Sequence, residues 1–514
     1  MRMIGTSVAV GALFIGVLMS GGSRDLEVRH VAHSGAAARH DYLVFYADGK
    51  RATAFRAIRA AGGTPEDHPK LRYALVRQVA TGFPEAAATT PAILGVTPNR
   101  AIGAADGAPP PEVVSAAPAS ATRMDGAAEP LSGRQWDMRL IGASADGSYA
   151  INRGSRKVLV GVMDTGVDGT HPDIAPNFNR KLSRSFVRAP HVAGVDIDGH
   201  GTHVAGIIGS PVNGLGVAGV APGVSLVDLR VAVDGTAFYL KPTLDALTYA
   251  GDVGIDVVNM SYFIDPWRFN CASRRGDSRA DQLEQAGVLV GVQRALDYAR
   301  GHGVTLVSAL GNDHTDLDTV KVDADPLGTH SRKIDKRCLM MPNEAKGVIS
   351  ATAIGPAGKL STYSNYSLRY ADVSAPGGDF PEVQPGDPAE MGAVLAAAPK
   401  KMLRLFGQID AKGKPLTPNV VRECEGGRCS YYQYLAGTSM AAPHVTGVAA
   451  ILISRFGRPG KGGLTMDPAE VERLLYAGAI PVDCTVPKCR GGKAHNNFYG
   501  RGVVNALAAA TIEK

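Results

Sequence analysis

The sequence predicts an α/β fold that contains a buried parallel β-sheet. Three segments of strand length are largely apolar, as is typical of strands covered on both faces; they begin at Val158, Val257 and Ser308. The first segment is followed by Asp164, and the third ends at Asn312. Because the functional groups of α/β folds collect at the carboxyl ends of parallel strands, both side chains are candidates for an active site at that edge.

Two apolar helical segments each begin with a chemically reactive side chain. His200 lies in Asp198–Gly206, whose glycines let the backbone turn tightly and leave room for a substrate beside the imidazole. Ser439 lies in Gly437–His444, at the predicted start of the other helix. Free backbone N–H groups and the helix dipole stabilise an oxyanion there, so Ser439 is a candidate nucleophile. A helix-capping serine is the structural alternative.

The chain order Asp164, His200, Ser439 is that of the subtilisin triad. The motifs around these residues, with the segment that ends in Asn312, are Asp164-Thr165-Gly166, His200–Gly206, Gly437–Pro443 and Ser308–Asn312. On these motifs the chain resembles the subtilisin-family (S8) serine peptidases across roughly residues 135 to 510. The resemblance implies a doubly wound α/β domain with a mostly parallel sheet, which we place at residues 134–514.

The resemblance also implies a role for each of the four residues. Ser439 Oγ attacks the peptide carbonyl, His200 takes its proton and passes it to the leaving amine, and Asp164 orients His200. Asn312 donates its side-chain amide to the oxyanion, together with the backbone N–H of Ser439. The predicted function is a secreted serine endopeptidase that forms an acyl-enzyme and needs no cofactor for its chemistry. A catalytically silent binding protein on the same fold is the alternative.

Substrate contacts are predicted by resemblance at two segments. An extended substrate is expected to pair with the strand end at Ser261, Tyr262 and Phe263, and further contacts are expected from Ala309, Leu310 and Gly311. Compact subtilisins carry a small residue where Phe263 stands. Phe263 therefore either restricts the substrate residue before the scissile bond or turns into a local insertion and packs there.

A structural calcium ion is left open by the sequence. Asp173 and Asn213 match oxygen ligands of a calcium site in several subtilisins, but calcium takes about six to eight oxygens, many of them carbonyls. Asp196 and Asp198 belong to an Asp-x-Asp-Gly segment. Such a segment is common in turns, so we interpret it as a turn, with a metal site as the alternative. His203 is interpreted as structural.

Three segments are predicted ahead of the peptidase domain. Residues 1–22 have the charged start, short apolar core and small-residue end of a signal peptide, with an uncleaved anchor as the alternative. Residues 24–103 alternate strand and helix patterns and resemble the small α+β propeptide of subtilisins, with an ordinary accessory domain as the alternative. Residues 104–133 are rich in Ala, Pro and Gly and predict a flexible linker, in which self-cleavage is expected.

The six cysteines agree with export, because an even number in a secreted chain indicates disulfides. Of the fifteen pairings that six cysteines allow, we predict Cys424–Cys429, Cys484–Cys489 and Cys271–Cys338. Zinc binding is the alternative, although the spacings do not form a pair of Cys-x-x-Cys knuckles.

Charge and length limit the partners. A formal charge of +6 over 514 residues, with no concentrated basic run, does not favour nucleic-acid binding. The expected partners are protein or peptide substrates and the protein's own propeptide as an inhibitor, and we expect a monomer without a stable membrane anchor. Two insertions are expected, at residues 264–291 and 379–434. Long inserts beside a site commonly set access or binding, with inert surface elaboration as the alternative, and the second insert stands where a substrate must pass.

Overall fold

A computed structural model of the chain describes residues 39–99, 104–105, 129–188, 191–233, 237–238, 240–264, 268–324, 331–379 and 392–514. The predicted signal peptide, most of the predicted linker and parts of both predicted insertions lie outside these residues. The boundaries assigned to those segments therefore stay predictions.

The N-terminal part of the described chain forms a four-stranded antiparallel sheet with two helices. Its elements are β1 (Arg39–Tyr46), α1 (Arg51–Ala60), β2 (Pro65–His68), β3 (Tyr73–Ala80), α2 (Phe83–Ala87) and β4 (Ile93–Pro98), with strand order β2-β3-β1-β4. Successive side chains of β1 point to opposite faces. Tyr42 and Val44 pack against α1 and its neighbours, whereas Leu43 and Phe45 join a core cluster of the larger domain. The predicted small α+β unit is confirmed.

The other strands of the described residues, in chain order, are β5 (Ala104–Ala105), β6 (Leu159–Met163), β7 (Arg184–Ser185), β8 (Ser225–Arg230), β9 (Ala232–Val233), β10 (Ala237–Phe238), β11 (Val257–Met260), β12 (Tyr262–Phe263), β13 (Thr305–Ala309), β14 (Val322–Ala324), β15 (Ser331–Lys333), β16 (Ile349–Ile354), β17 (Val373–Pro376), β18 (Val394–Ala397), β19 (Val420–Glu425), β20 (Arg428–Leu435), β21 (Arg458–Gly460), β22 (Gly463–Thr465), β23 (Gly491–Gly492) and β24 (His495–Asn496). The helices that follow α2 are α3 (Trp136–Leu140), α4 (His200–Gly209), α5 (Leu240–Val253), α6 (Arg279–Gly301), α7 (Lys400–Leu405), α8 (Thr438–Phe456), α9 (Pro468–Gly478) and α10 (Ala506–Thr511).

A seven-stranded parallel sheet in the order β17-β16-β13-β11-β6-β8-β7 forms the centre of the larger domain. Its side chains alternate between two apolar cores: Leu159 and Val258 pack towards α5 and α6, while Val160 and Val257 pack towards α4 and α8. Both faces are therefore covered by helices, which explains why these strands are apolar throughout. The predicted doubly wound α/β fold is confirmed.

The second predicted insertion contributes a small sheet of its own, in the order β18-β20-β19, and the short helix α7. This sheet lies against α4, where His203 Nε2 is 2.9 Å from the Gln433 carbonyl and 3.2 Å from that of Val394. His203 thus joins the insertion to the helix that begins at His200.

All three predicted disulfides are present: Cys271–Cys338, Cys424–Cys429 and Cys484–Cys489. The sulfur atoms are bonded to each other, so zinc binding by these cysteines is excluded. In the part of the chain that the structure describes, no helix combines the length and the hydropathy needed to cross a bilayer.

Candidate active site

Asp164 and His200 form a buried pair at the carboxyl edge of the sheet. Asp164 directly follows β6, and His200 is the first residue of α4. His200 Nδ1 lies 2.8 Å from Asp164 Oδ1, and both side chains are buried. Burial opposes protonation of the imidazole, but Asp164 facing it, with Asp198 and Asp196 nearby, raises the pKa of His200 to about 9. The pair is arranged to stabilise an imidazolium.

The loop before His200 is held by Asp196. Its carboxylate accepts hydrogen bonds from the backbone N–H of Gly199 at 2.9 Å and from both the N–H and the hydroxyl of Thr202. Gly199 has a φ of 102°, and a Cβ at this position would collide with Met402 of α7. Asp196 is thus a turn-forming residue, in agreement with the sequence interpretation.

Ser439 lies in the first turn of α8, and its orientation depends on Ser261 at the end of β11. Pro443 has no N–H, so it cannot close the helical hydrogen bond to the Ser439 carbonyl. The Ser261 hydroxyl donates to that carbonyl instead, at 2.9 Å, while Ser439 Oγ donates to the Ser261 carbonyl at 3.3 Å. His200 Nε2, the nitrogen that would receive the Ser439 proton, is buried without a hydrogen-bond partner among the described residues.

A buried polar chain extends this arrangement into the core. The Thr446 hydroxyl donates to Asn259 Oδ1 at 3.0 Å, and Asn259 Nδ2 donates to Ser261 Oγ at 2.8 Å. All three side chains are fully buried. Because each side chain is hydrogen-bonded to the next, the chain fixes the position of the start of α8, which carries Ser439, relative to the end of β11.

Asn312 is oriented by Thr438, the residue before Ser439. Asn312 Oδ1 accepts from the Thr438 backbone N–H at 2.8 Å and from its hydroxyl at 2.9 Å. The same hydroxyl accepts from the Gly311 N–H at 3.0 Å. Because Oδ1 accepts from Thr438, the amide is oriented with its NH₂ group as the donor that an oxyanion beside Ser439 would use.

The predicted substrate strand is paired with another part of the chain. Tyr262 and Phe263 form an antiparallel pair with Ala105 and Ala104, respectively. Phe263 packs on a buried cluster that joins Cys271 of the first insertion to Cys338, its disulfide partner, and to Leu310. Phe263 thus packs locally, and whether it also restricts the substrate residue before the scissile bond stays a prediction.

Ala309 and Leu310 are fully buried. Their carbonyl oxygens accept from the side-chain amides of Asn343 and Asn365, so these carbonyls are engaged within the protein. The two residues support the turn at Gly311.

Asp173 and Asn213 do come together, and a third acidic residue joins them. Asp173 Oδ2 accepts from the Val217 N–H at 3.1 Å, and Glu129 Oε1 accepts from the Asn213 N–H at 2.7 Å. Burial raises the pKa of both carboxyl groups, that of Glu129 to about 7. The second oxygens, Asp173 Oδ1 and Glu129 Oε2, are buried without a hydrogen-bond partner among the described residues.

These orphaned carboxylate oxygens are of the ligand type that a hard cation prefers. Across the described ranges, no three His, Cys, Asp or Glu side chains converge on one metal position. A calcium site here would therefore depend on carbonyl, amide and water oxygens for most of its ligands.

Sequence reasoning missed Thr438, the hydroxyl of Ser261 and Glu129. Thr438 and Ser261 lie beside predicted site residues in the sequence, so proximity was a usable signal for both. Glu129 lies at the end of an Ala/Pro/Gly-rich segment and carries no such signal.

The family model for the subtilase family (peptidase S8) matches residues 155–502. Fervidolysin of Fervidobacterium pennivorans is 28% identical over 391 residues, which cover 72% of this chain and 43% of fervidolysin. Subtilisin DY of Bacillus licheniformis is 26% identical over 69% of this chain and 90% of its own length. The chain thus spans less than half of fervidolysin but most of subtilisin DY.

Solved structures share the fold. The crystal structure of fervidolysin has a TM-score of 0.60 and 23% identity, and the match covers 94% of this chain and 62% of that one. The epidermin leader peptide processing serine protease of Staphylococcus aureus has a TM-score of 0.63 and 21% identity, over 93% of this chain and 100% of that one. These likenesses show the shared fold, and the family match over residues 155–502, more than half of the chain, establishes that the protein belongs to the subtilase family.

Proposed function

We propose that the protein is a serine endopeptidase that hydrolyses peptide bonds through an acyl-enzyme. The observation that carries the proposal is the buried Asp164–His200 pair, at 2.8 Å, on the same sheet edge as Ser439. Ser439 in turn lies next to Thr438, which orients the amide of Asn312. Base, orienting carboxylate, nucleophile and oxyanion donor are the four parts that acyl transfer needs.

The chemistry follows from these positions. Ser439 Oγ attacks the carbonyl carbon while its proton passes to His200 Nε2, and Asp164 stabilises the resulting imidazolium. The negative charge that forms on the carbonyl oxygen is received by the Asn312 amide and the Ser439 N–H. Collapse of this intermediate breaks the C–N bond, and His200 returns its proton to the leaving amine. Water then repeats the sequence on the acyl-enzyme, releasing the acid.

We further propose that the N-terminal sheet is a propeptide that the enzyme removes itself. The backbone of Ala104–Ala105 pairs with Tyr262–Phe263, as an extended substrate would. Ala105 pairs with Tyr262, and the carbonyl of the preceding residue, Ser261, accepts from Ser439 Oγ at 3.3 Å, so Ala105 lies close to the nucleophile. Cleavage in the linker shortly after Ala105 is the expected result.

The docking of the N-terminal sheet on α6 supports the role of inhibitor. Arg294 donates to the carbonyls of Tyr46, Leu71 and Arg72 at 3.0 to 3.2 Å. The Thr97 hydroxyl donates to the Glu284 carbonyl at 2.8 Å. These contacts hold the N-terminal sheet on α6, while Ala104–Ala105, which follow it in the chain, occupy the edge of β12 that a substrate would use.

Secretion is part of the proposal. The three disulfides are typical of proteins that fold in an oxidising compartment. The predicted signal peptide lies outside the described residues, so export is tested by fractionation of the expressing cells.

A calcium ion held by Asp173, Asn213, Glu129 and neighbouring carbonyls is proposed as a structural ligand. It would satisfy the two buried carboxylate oxygens and fix the loop around Asn213. The expected result is that calcium raises the unfolding temperature of the wild-type protein but not of Asp173→Asn. An equal rise in both would contradict the assignment.

Self-processing is the test of the whole proposal. In a host that lacks related peptidases, the wild-type precursor should lose its N-terminal segment, and Ser439→Ala should remain intact. Ser454→Ala, on the same helix α8 but 15 residues further on, is the matched control and should be processed normally. Normal maturation of Ser439→Ala would contradict self-cleavage.

A further inference from the structure

Three apolar side chains are exposed on the second insertion. Leu405, Phe406 and Leu416 are 69%, 58% and 59% exposed, which makes them the most exposed large apolar side chains of the described residues. Leu405 and Phe406 are consecutive at the end of α7, and the Leu416 N–H donates to the carbonyl of Gln408, two residues after Phe406. We name these three residues the α7 patch. Clustered apolar exposure of this kind marks interaction sites.

The α7 patch lies in a basic stretch of the chain. Between residues 400 and 416 the only acidic residue is Asp410, and the basic residues are Lys400, Lys401, Arg404, Lys412 and Lys414. Lys400 Nζ lies 5.6 Å from the centre of the Tyr431 ring, which fixes the start of the helix on β20. A partner that fits this surface combines apolar side chains with carboxylates.

The insertion places the α7 patch beside the catalytic histidine. Met402 is buried against Gly199, the residue directly before His200. Leu405 and Phe406 follow Met402 by three and four residues, so they lie about one helical turn, roughly 5 Å, along the chain from it. An extended peptide that passes His200 reaches them within about three to four residues, at about 3.3 Å per residue.

The mechanism indicates which half of the substrate lies near α7. The acyl half lies on the side of Tyr262–Phe263, where Ala104–Ala105 already pairs with that strand. His200 gives its proton to the leaving amine, so the leaving-group half departs on the side of the imidazole. Met402 of α7 lies against Gly199, the residue directly before His200, which brings α7 close to the imidazole.

We propose that the α7 patch is a subsite for the leaving-group half of the substrate, selecting apolar residues with acidic neighbours about three to four positions after the scissile bond. This inference rests on the proposed peptidase function. A peptide is favoured over an anionic membrane because a bilayer on the α7 patch would also cover the cleft beside Gly199, which the substrate must enter.

Two substrates with the same acyl half test the inference. One is a chromogenic anilide with no leaving-group residues, and the other is a quenched fluorescent peptide with Leu-Phe followed by Glu-Glu from the third position after the scissile bond. A second peptide carries Ser-Ser and Lys-Lys instead. The variants are Leu405→Ser combined with Phe406→Ser, and Lys401→Glu combined with Lys412→Glu. The control is Ile151→Ser, an apolar residue that is 55% exposed outside the insertion.

We expect processed wild-type enzyme to prefer the Leu-Phe-Glu-Glu peptide over the Ser-Ser-Lys-Lys peptide. The apolar variant should lose about tenfold in kcat/KM on the preferred peptide, mostly through KM, since a buried Leu or Phe contact is worth at least that factor. The charge variant should lose the preference for Glu over Lys. All variants, and the control, should cleave the anilide like wild type.

Equal cleavage of both peptides by wild type would overturn the inference, and so would an equal loss of kcat/KM on the anilide and the peptide in the apolar variant. It would also be overturned if wild type bound phosphatidylserine vesicles and the apolar variant lost that binding but cleaved the peptides like wild type. Failure of the proposed function looks different, because wild type would then cleave neither the anilide nor any peptide.

Discussion

Thr438→Val tests how the oxyanion donor is held in place. The substitution keeps the shape of the side chain but removes the hydroxyl that donates to Asn312 Oδ1 at 2.9 Å and accepts from the Gly311 N–H at 3.0 Å. The Thr438 backbone N–H, at 2.8 Å from the same oxygen, is retained. Thr438→Ser keeps both donors and is the matched control.

The magnitude follows from the hydrogen bonds lost. One of two donors to Asn312 Oδ1 disappears, which is worth about 0.5–1.5 kcal/mol net, or about 2- to 10-fold in kcat. Asn312→Ala removes the oxyanion donor itself and should cost about 10²–10³-fold in kcat. The Gly311 N–H is also left without its partner, so Thr438→Val should lower the free energy of unfolding by about 1–3 kcal/mol.

The assay is kcat on a peptide anilide, corrected for active sites by titration with a serine-directed phosphonate. Since Thr438 acts through Asn312, the double variant Thr438→Val/Asn312→Ala should be no slower than Asn312→Ala alone within about twofold. Additive losses, or a kcat for Thr438→Val equal to that of wild type, would refute this reasoning.

Three further predictions concern pH, the docking of the N-terminal sheet and the first disulfide. The pKa of His200 is raised to about 9, because Asp164 and its acidic neighbours outweigh the effect of burial. Only the neutral imidazole accepts the Ser439 proton, so kcat/KM should rise about tenfold per pH unit below the pKa of His200 and level off above it. A pH profile that is already flat near about pH 7 would contradict the prediction. The Cβ of Gly287→Ala would collide with Thr97 Oγ1 of the N-terminal sheet, so the substitution should slow processing of the precursor. It should leave kcat/KM of the processed enzyme unchanged. Processing at the wild-type rate would show that this contact is dispensable. Replacing both cysteines of Cys271–Cys338 by serine should lower the free energy of unfolding by about 4 kcal/mol, against about 2 kcal/mol for Cys424–Cys429, because the cysteines are 67 and 5 residues apart. Equal midpoints of urea unfolding for the two double variants would argue against the loop-closure explanation.

Residues with local signals could be predicted from the sequence. Asp164, His200 and Ser439 each lie at the end of a strand or the start of a helix, within short motifs of small residues. Each motif carries its own structural reason, so the three could be recognised without knowing how the chain folds between them. The structure brings Asp164 and His200 into contact and places Ser439 on the same sheet edge.

Residues that depend on long-range packing could not be predicted. Thr438 acts on Asn312 across 126 positions, and Glu129 meets the Asn213 loop across 84. Strand β5 consists of two alanines, which have no strand signature, and it forms only because β12 offers a free edge. Phe263 was ambiguous because its environment is built by the insertion, whose fold depends on a disulfide between distant cysteines.

In the N-terminal sheet, too, elements with a local sequence pattern could be predicted and an element that depends on long-range pairing could not. The apolar strand β1 and the helix after it fit the alternating strand and helix patterns of residues 24–103, whereas β2, with the sequence Pro65-Glu66-Asp67-His68, carries no strand pattern. A polar edge strand has no buried face to impose an alternating pattern, so only its pairing with β3 reveals it.

Labelling of processed enzyme with a fluorophosphonate, followed by peptide mass spectrometry, tests the central claim most directly. We expect one modified residue, Ser439, and loss of the label in Ser439→Ala but not in Ser454→Ala. Label on any other residue, or undiminished labelling of Ser439→Ala, would contradict it.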